Sequence, residues 1–583
     1  MSDTLTEAQP IESENPTNAT TSTEDLSDFD FTDPNIKAKL PSDILRIVDL
    51  ARRTDTDPPD FTPYLKTANG EMSLRPIQNE ILWQASKAKG LLGLVGVGEG
   101  KTLASFLLPR VLKAQRPLLL VPASMRAQAQ ADWGTYGAHF HLPEHLVLRS
   151  YEEISTQPGL LKALDPDLII CDEAHKLKNA DSARTRRFRK HFQMCVRQKK
   201  PMPMFVCLSG SITSTSIKDF WHLATWALKE KSPLPLKWPF LDSWSMALDK
   251  GRESSKKDLS ALTPIMGLFQ EADVRMAFQK NLLSAEGVVI SHKTPPPCKL
   301  EMFAFKTKVD KPVREKIQHL NETWTTPQGE ELNSALELVR LRRQMICGFY
   351  YYWDWVGAPD EAWLFARSEW AKACRLYCAR APEGLDTPAL LENAIIRVLK
   401  RELDFKFPRE LLLTYIEWAK QKDKPLPPVG IEWFSKYFLE AIILWAKAQK
   451  DPPLIWYEHV ALGHALHRIT GWPLYDTGPQ ADKALTQVTS PHIGIISIRA
   501  HSQGKNLQVW GNHFVAHPLS DGARWEQLLG RSHRHGQQRA TVTVTVPSFS
   551  EFATALRSAR LAAHYIQEST GLKQRLLTAD WTR

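Results

Sequence analysis

Gly96-Val97-Gly98-Glu99-Gly100-Lys101-Thr102, directly after the apolar run Leu91–Val95, has the composition of a phosphate-binding turn. Glycines at this spacing let backbone N–H groups turn inward and hold phosphate oxygens where a helix starts. In such a turn the lysine reaches a nucleotide's terminal phosphates and the next hydroxyl sits on Mg²⁺. That assigns Lys101 and Thr102, with Gly98 and Gly100 as the cradle. The long form of the pattern is broken, because Val95 occupies its first glycine position, but the short form G-x-G-K-T is intact. Roughly 70 residues on, a second apolar run, Leu168–Cys171, ends in Asp172-Glu173-Ala174-His175. Carboxylates at the C-terminal end of a buried parallel strand lie where such sheets bind ligands. There Asp172 is expected to hold the metal and Glu173 to take the proton of an attacking water.

Positioning these groups requires strands that end together. Leu91–Val95, Pro117–Val121, Leu168–Cys171 and Phe205–Leu208 are strand-length apolar runs separated by helix-length stretches, which predicts a parallel sheet covered on both faces. A second series follows at Leu300–Phe305, Leu454–Tyr457, Ile495–Ile498, Asn512–His517 and Thr541–Val546, before a C-terminal helix. The fold class expected is α/β, two tandem lobes with the second interrupted by a helical, tryptophan-rich insert. The expected division is a disordered acidic tail at 1–40, a first, nucleotide-binding lobe at 41–290 and the start of the second lobe at 291–347. The helical insertion then occupies 348–450 and the rest of the second lobe 451–583.

Composition narrows the class. The 583 residues are 43% hydrophobic and 24% charged, an ordinary globular balance. No apolar run approaches the ~18 residues that span a bilayer, and no basic-then-apolar leader opens the sequence. The seven cysteines are scattered without zinc-ligand spacing, as in a reducing compartment. Net charge is +9, yet residues 1–36 hold nine acids and no Lys or Arg, which leaves the remainder at +18. A body that basic suits a polyanionic partner.

The motif order resembles the Swi/Snf-like branch of the superfamily-two helicases, DEAH-box DNA-dependent ATPases. Asp172-Glu173-Ala174-His175-Lys176-Leu177-Lys178-Asn179 is similar to that branch's D-E-x-H-x-x-K-N. Leu74-Arg75-Pro76-Ile77-Gln78 resembles the segment whose glutamine reads adenine. Val121-Pro122-Ala123-Ser124 resembles motif Ia, Ser150-Tyr151 motif Ib, and Leu208-Ser209-Gly210-Ser211-Ile212-Thr213 motif III. Leu341-Arg342-Arg343-Gln344-Met345-Ile346-Cys347 is similar to the L-R-x-x-C region. Gln527-Leu528-Leu529-Gly530-Arg531-Ser532-His533-Arg534-His535-Gly536-Gln537 has the motif VI form Q-x-x-G-R-x-H-R-x-G-Q. Three features depart from the branch: Ser211-Ile212 in motif III, His501-Ser502-Gln503 before Gly504 in motif V, and the absence of W-N-P before motif VI.

The resemblance implies two RecA-like lobes and an ATP hydrolase that uses ATP and Mg²⁺ to translocate along DNA, duplex before single-stranded and without sequence preference. It implies catalytic roles for Lys101, Asp172, Glu173, Gln527, Arg531 and Arg534, adenine contact by Gln78, and coupling through His175, Ser211 and Thr213. Strand contacts would fall to Ser124, Tyr151 and Arg499. Compact size points to phage or bacterial relatives, hence a cytoplasmic location in the nucleoid or an infected cell, with no membrane partner. Two alternatives stay open: a strand-separating DNA or RNA helicase, and an ATP-binding, DNA-gripping scaffold with uncoupled hydrolysis. Residues 176–200 carry ten Lys/Arg against one acid, either a phosphate-binding face or a solvated helix. The tryptophans of the insert either stack on bases or fill a helical core.

Overall fold

A computed structural model describes residues 37–53, 57–213, 215–249, 259–291, 296–332 and 334–582. Of the tail 1–40, where disorder is expected, residues 1–36 lie outside the described residues. The first sheet is parallel throughout, built from β1 (Leu91–Leu94), β2 (Pro117–Val121), β3 (Val147–Ser150), β4 (Leu168–Asp172), β5 (Met204–Leu208) and β6 (Val288–Ile290) in the order β3-β2-β4-β5-β1-β6. β1, β2 and β4 are buried along their whole length, as a sheet covered on both faces requires. Strand order decides the chemistry. β5 lies between β1 and β4, so the glycine-rich turn and the carboxylate pair emerge on either side of the segment that follows Leu208. Helices α1 (Pro76–Ala88), α2 (Lys101–Leu112) and α3 (Ala183–Arg197) flank this sheet.

The second sheet, also parallel, has the order β11-β12-β10-β13-β14-β7-β15. Its strands are β7 (Lys299–Phe305), β10 (Leu454–Tyr457), β11 (Leu474–Tyr475), β12 (Gly494–Ser497), β13 (Asn512–Val515), β14 (Thr541–Pro547) and β15 (Asp580–Thr582). β7 and β14 pair in register from Lys299↔Thr541 to Pro547↔Phe305, which seats the early strand beside the late one despite the long intervening segment.

That segment is not helical throughout, as the expectation for 348–450 had it. It opens and closes with β8 (Phe349–Trp353) and β9 (Val429–Trp433), paired antiparallel as a stem. Aromatic Phe349-Tyr350-Tyr351-Tyr352-Trp353 suits a pleated, half-buried surface better than a helix. Beyond the stem lie α4 (Glu361–Cys378), α5 (Pro388–Leu399) and α6 (Arg409–Gln421), with their own core of Trp370, Cys374, Leu391, Ile395, Leu411 and Tyr415. α7 (Tyr437–Ala448) belongs to the second lobe instead, because Phe438 and Ile442 pack with Ile455, Tyr457 and Phe514. Trp363 and Trp370 are buried, so these two tryptophans serve packing. All seven cysteines are free and buried.

The chain ends with α8 (Gly522–Leu529) and α9 (Ser550–Thr570). α9 spans both lobes: Ala559 and Ala563 join the second-lobe core, whereas Ile566 packs into the first. Tyr565 Oη donates to Asp249 at 3.2 Å and Arg275 meets Glu568 at 3.4 Å, fastening the far end of α9 to the first lobe. Among the described residues no helix is long and apolar enough to cross a membrane.

Candidate functional site

The glycine-rich turn takes the backbone form its sequence calls for. Gly98 and Gly100 have φ of +88° and +81°, left-handed values that residues with a Cβ rarely adopt. Lys101 then starts α2, and its ammonium turns back into the loop, 3.3 Å from the Val95 carbonyl and 3.3 Å from Glu173 Oε1. Lys101, Asp172 and Glu173 are all buried. Glu173 is itself left-handed at φ +57°, a strained conformation for a non-glycine residue of the kind that collects at functional sites.

Electrostatics separates the two carboxyls. Burial pushes Asp172 up, opposed by Lys101, while the neighbouring Glu173 charge adds to the rise. Burial also works against a charged Glu173, but Lys101, His175 and Arg531 outweigh it and hold that carboxyl well below its usual range. Glu173 is thus held as an anion by Lys101 and Arg531, with His175 as a hydrogen-bond partner. His175 Nδ1 lies 3.2 Å from Glu173 Oε2 and 3.2 Å from Ser209 Oγ.

That last contact revises the expected coupling set. Ser209 Oγ, at the end of β5, reaches His175 and also accepts the Ser211 backbone N–H at 3.2 Å. Ser211 meets Ser209 through its backbone N–H, and the Thr213 hydroxyl donates to the Ser216 carbonyl at 2.8 Å. Sequence reasoning named Ser209 only as part of its motif. The signal available was its position as the first residue past a buried strand. Gln78 is also occupied internally: its amide donates to the Gly100 carbonyl at 3.0 Å, and its oxygen accepts the Arg75 N–H at 2.8 Å. Thr102 is half-buried at the second position of α2.

The second lobe brings its arginines to this turn. A Cβ placed on Gly98 would sit 3.4 Å from Arg534 Nε, and Val97, Gly98, Glu99 and Arg534 line one small cavity. Arg531 is aimed by the Gln527 carbonyl at 2.9 Å and the Lys505 carbonyl at 3.1 Å, and it is near enough for the Glu173 charge to act on it. Gln527 Oε1 accepts from Gln503 Nε2 at 2.8 Å, so the unusual Gln503 of motif V is knitted to motif VI. Arg75 donates to the Gly98 carbonyl at 3.1 Å, a further contact that sequence reasoning did not single out.

The expected nucleic-acid residues divide. Ser124 and Arg499 are exposed, and their segments approach each other across the cleft, since a Cβ on Gly504 would lie 2.8 Å from Met125 Cγ. Tyr151 does not belong with them. It is completely buried and its hydroxyl donates to the Asp172 carbonyl at 2.8 Å, so it braces the carboxylate turn. The basic face of α3 is partly spent as well: Arg187 is buried and pairs with Asp386 of the insert at 2.7 and 3.1 Å. Among the described residues no cluster of three or more His, Cys, Asp or Glu side chains is arranged to hold a metal. No protein-family model and no curated protein matches the chain.

Proposed function

We propose that this protein is a two-lobed, RecA-like ATPase of the Swi/Snf type that converts ATP hydrolysis into movement along DNA, with duplex DNA as its track. The observation that carries this reading is the composite site. Arg534 of the second lobe touches the phosphate-binding turn of the first, and Arg531 acts on Glu173.

In this reading the backbone of Gly98–Lys101 and the Lys101 ammonium bind the phosphates, while Thr102 and Asp172 would hold Mg²⁺, which would supply positive charge against the phosphates. Glu173, kept anionic by its neighbours, orients the attacking water and accepts its proton. Arg534 and Arg531 stabilise the transferring phosphoryl group, a contribution worth ~10³–10⁵ in rate for arginine fingers. Turnover then requires the lobes to be together, and the His175–Ser209 contact reports the state of Glu173 to the loop after β5. Ser124 and Arg499, one on each lobe, provide exposed groups for one strand's phosphates.

Steady-state ATP turnover with no nucleic acid, duplex DNA, single-stranded DNA or RNA tests the reading. Strong stimulation by duplex is expected, with rising salt weakening it. Stimulation by RNA or single strands alone would replace the duplex translocase with a strand-separating enzyme. ATP binding without turnover on any of them would leave a scaffold.

A further inference from the structure

Roughly 40 residues beyond Arg534, outside every motif, Arg575 begins a short helical turn after α9. Its backbone N–H donates to Glu526 Oε2 at 2.7 Å and its Nη1 donates to Glu526 Oε1. Its Nε donates to the His533 carbonyl at 3.1 Å. Arg575 is 5% exposed and Glu526 1%. The same guanidinium lines the small cavity that Val97, Gly98, Glu99 and Arg534 share.

One side chain therefore joins the helix that carries Gln527, the carbonyl next to Arg534, and the wall facing the phosphate-binding turn. A buried ion pair is by itself weak evidence for stability, because apolar replacements of similar size are often neutral. The geometry here has a more specific consequence. A planar guanidinium that gives Nη1 to the Glu526 carboxylate and Nε to the His533 carbonyl holds two acceptors in fixed directions, which an ammonium cannot do. Its charge is spent on Glu526, so Arg534 remains the cation against Gly98.

We propose that Arg575 is a positioning residue: anchored on Glu526 through Nη1 and its backbone N–H, and bonded to the His533 carbonyl through Nε, it holds the His533-Arg534 turn against the phosphate-binding turn, so the C-terminal segment sets the arginines' reach. The proposal rests on the ATPase reading above for its kinetic consequence and on geometry alone for its structural one.

The test compares full-length wild type, Arg575→Lys, Glu526→Gln and the paired apolar replacement Glu526→Leu/Arg575→Met, which removes the ion pair without leaving a lone buried charge. Amide hydrogen exchange is expected to quicken about ten-fold over 531–537 in all variants, with β10 and β13 unchanged. With duplex DNA, kcat should fall by roughly 100-fold. KM for ATP should stay within about two-fold. In an Arg534→Ala background Arg575→Lys should add little further loss, since both act through one group. Wild-type exchange over 531–537 in the variants, or an undiminished loss in that background, overturns the proposal. A wild type without turnover overturns the ATPase reading only, and the exchange comparison still decides the positioning role.

Discussion

At the scale of single residues, the site is a set of charges held by backbone geometry. Glu173 keeps its charge because Lys101, His175 and Arg531 surround it, although its burial alone would favour the protonated form. Tyr151 illustrates how motif position misleads. A tyrosine after a strand-end serine looks like a nucleic-acid contact, but Tyr151 opens the helix Tyr151–Thr156 and is buried, with its hydroxyl on the Asp172 carbonyl. Tyr151→Phe leaves the buried Asp172 carbonyl without its donor, so unfolding stability should drop by about 1–3 kcal/mol. The salt dependence of DNA binding should not change in the same variant, and a shallower salt slope would return Tyr151 to the interface.

Buried histidines set a second behaviour at the level of strands and helices. His222 packs with its Nε2 at 2.9 Å from the Leu177 carbonyl, and His513 accepts the Trp456 indole N–H at 3.2 Å. Burial pushes both rings down to about 4. Between about pH 6.5, the unfolded value, and pH 4 the unfolded chain binds more protons at these positions than the folded one, so stability falls as pH falls through that window. Urea titrations at pH 7.5, 6 and 5 should show midpoints declining in that order, and His222→Gln should flatten the decline. A midpoint independent of pH across this range would contradict the burial of the neutral rings.

The strands around the site were legible for a simple physical reason. β1, β2, β4 and β5 are covered on both faces, so they read as continuous apolar runs bounded by turns. β3 stayed hidden because it is a partly exposed edge strand of four residues, and β6 because it has only three. β8 and β9 were masked by the helical composition on either side. The glycine-rich turn, the carboxylate pair and the arginine motif are local patterns. Ser209, Gln503, Glu526 and Arg575 owe their roles to distant strand order and lobe contact, which no local pattern contains.

At the scale of the whole molecule, the lobes are joined by the arginine contact at the glycine-rich turn, by α9 and by the insert. The insert grows from the second lobe yet grips the first: Asp386 takes Arg187 of α3, and Glu383 accepts the Gly159 N–H at 2.7 Å. Both partners of the Arg187–Asp386 pair are buried, so removing one strands a charge at a cost of about 3–5 kcal/mol. Asp386→Ala should therefore detach the insert locally. Limited proteolysis should cut within 354–428 well before it reaches either sheet, and unchanged protection there would show that the pair does not hold the insert down.

The central claim is that one active site is assembled from both lobes. Its most direct test is ATP turnover by Arg534→Ala beside wild type, at saturating duplex DNA, with ATP affinity measured separately on the same preparations. The composite site predicts a loss of about 10³-fold or more in kcat with nucleotide affinity largely kept. Turnover equal to that of wild type would contradict it, because the first lobe would then hydrolyse ATP without the second.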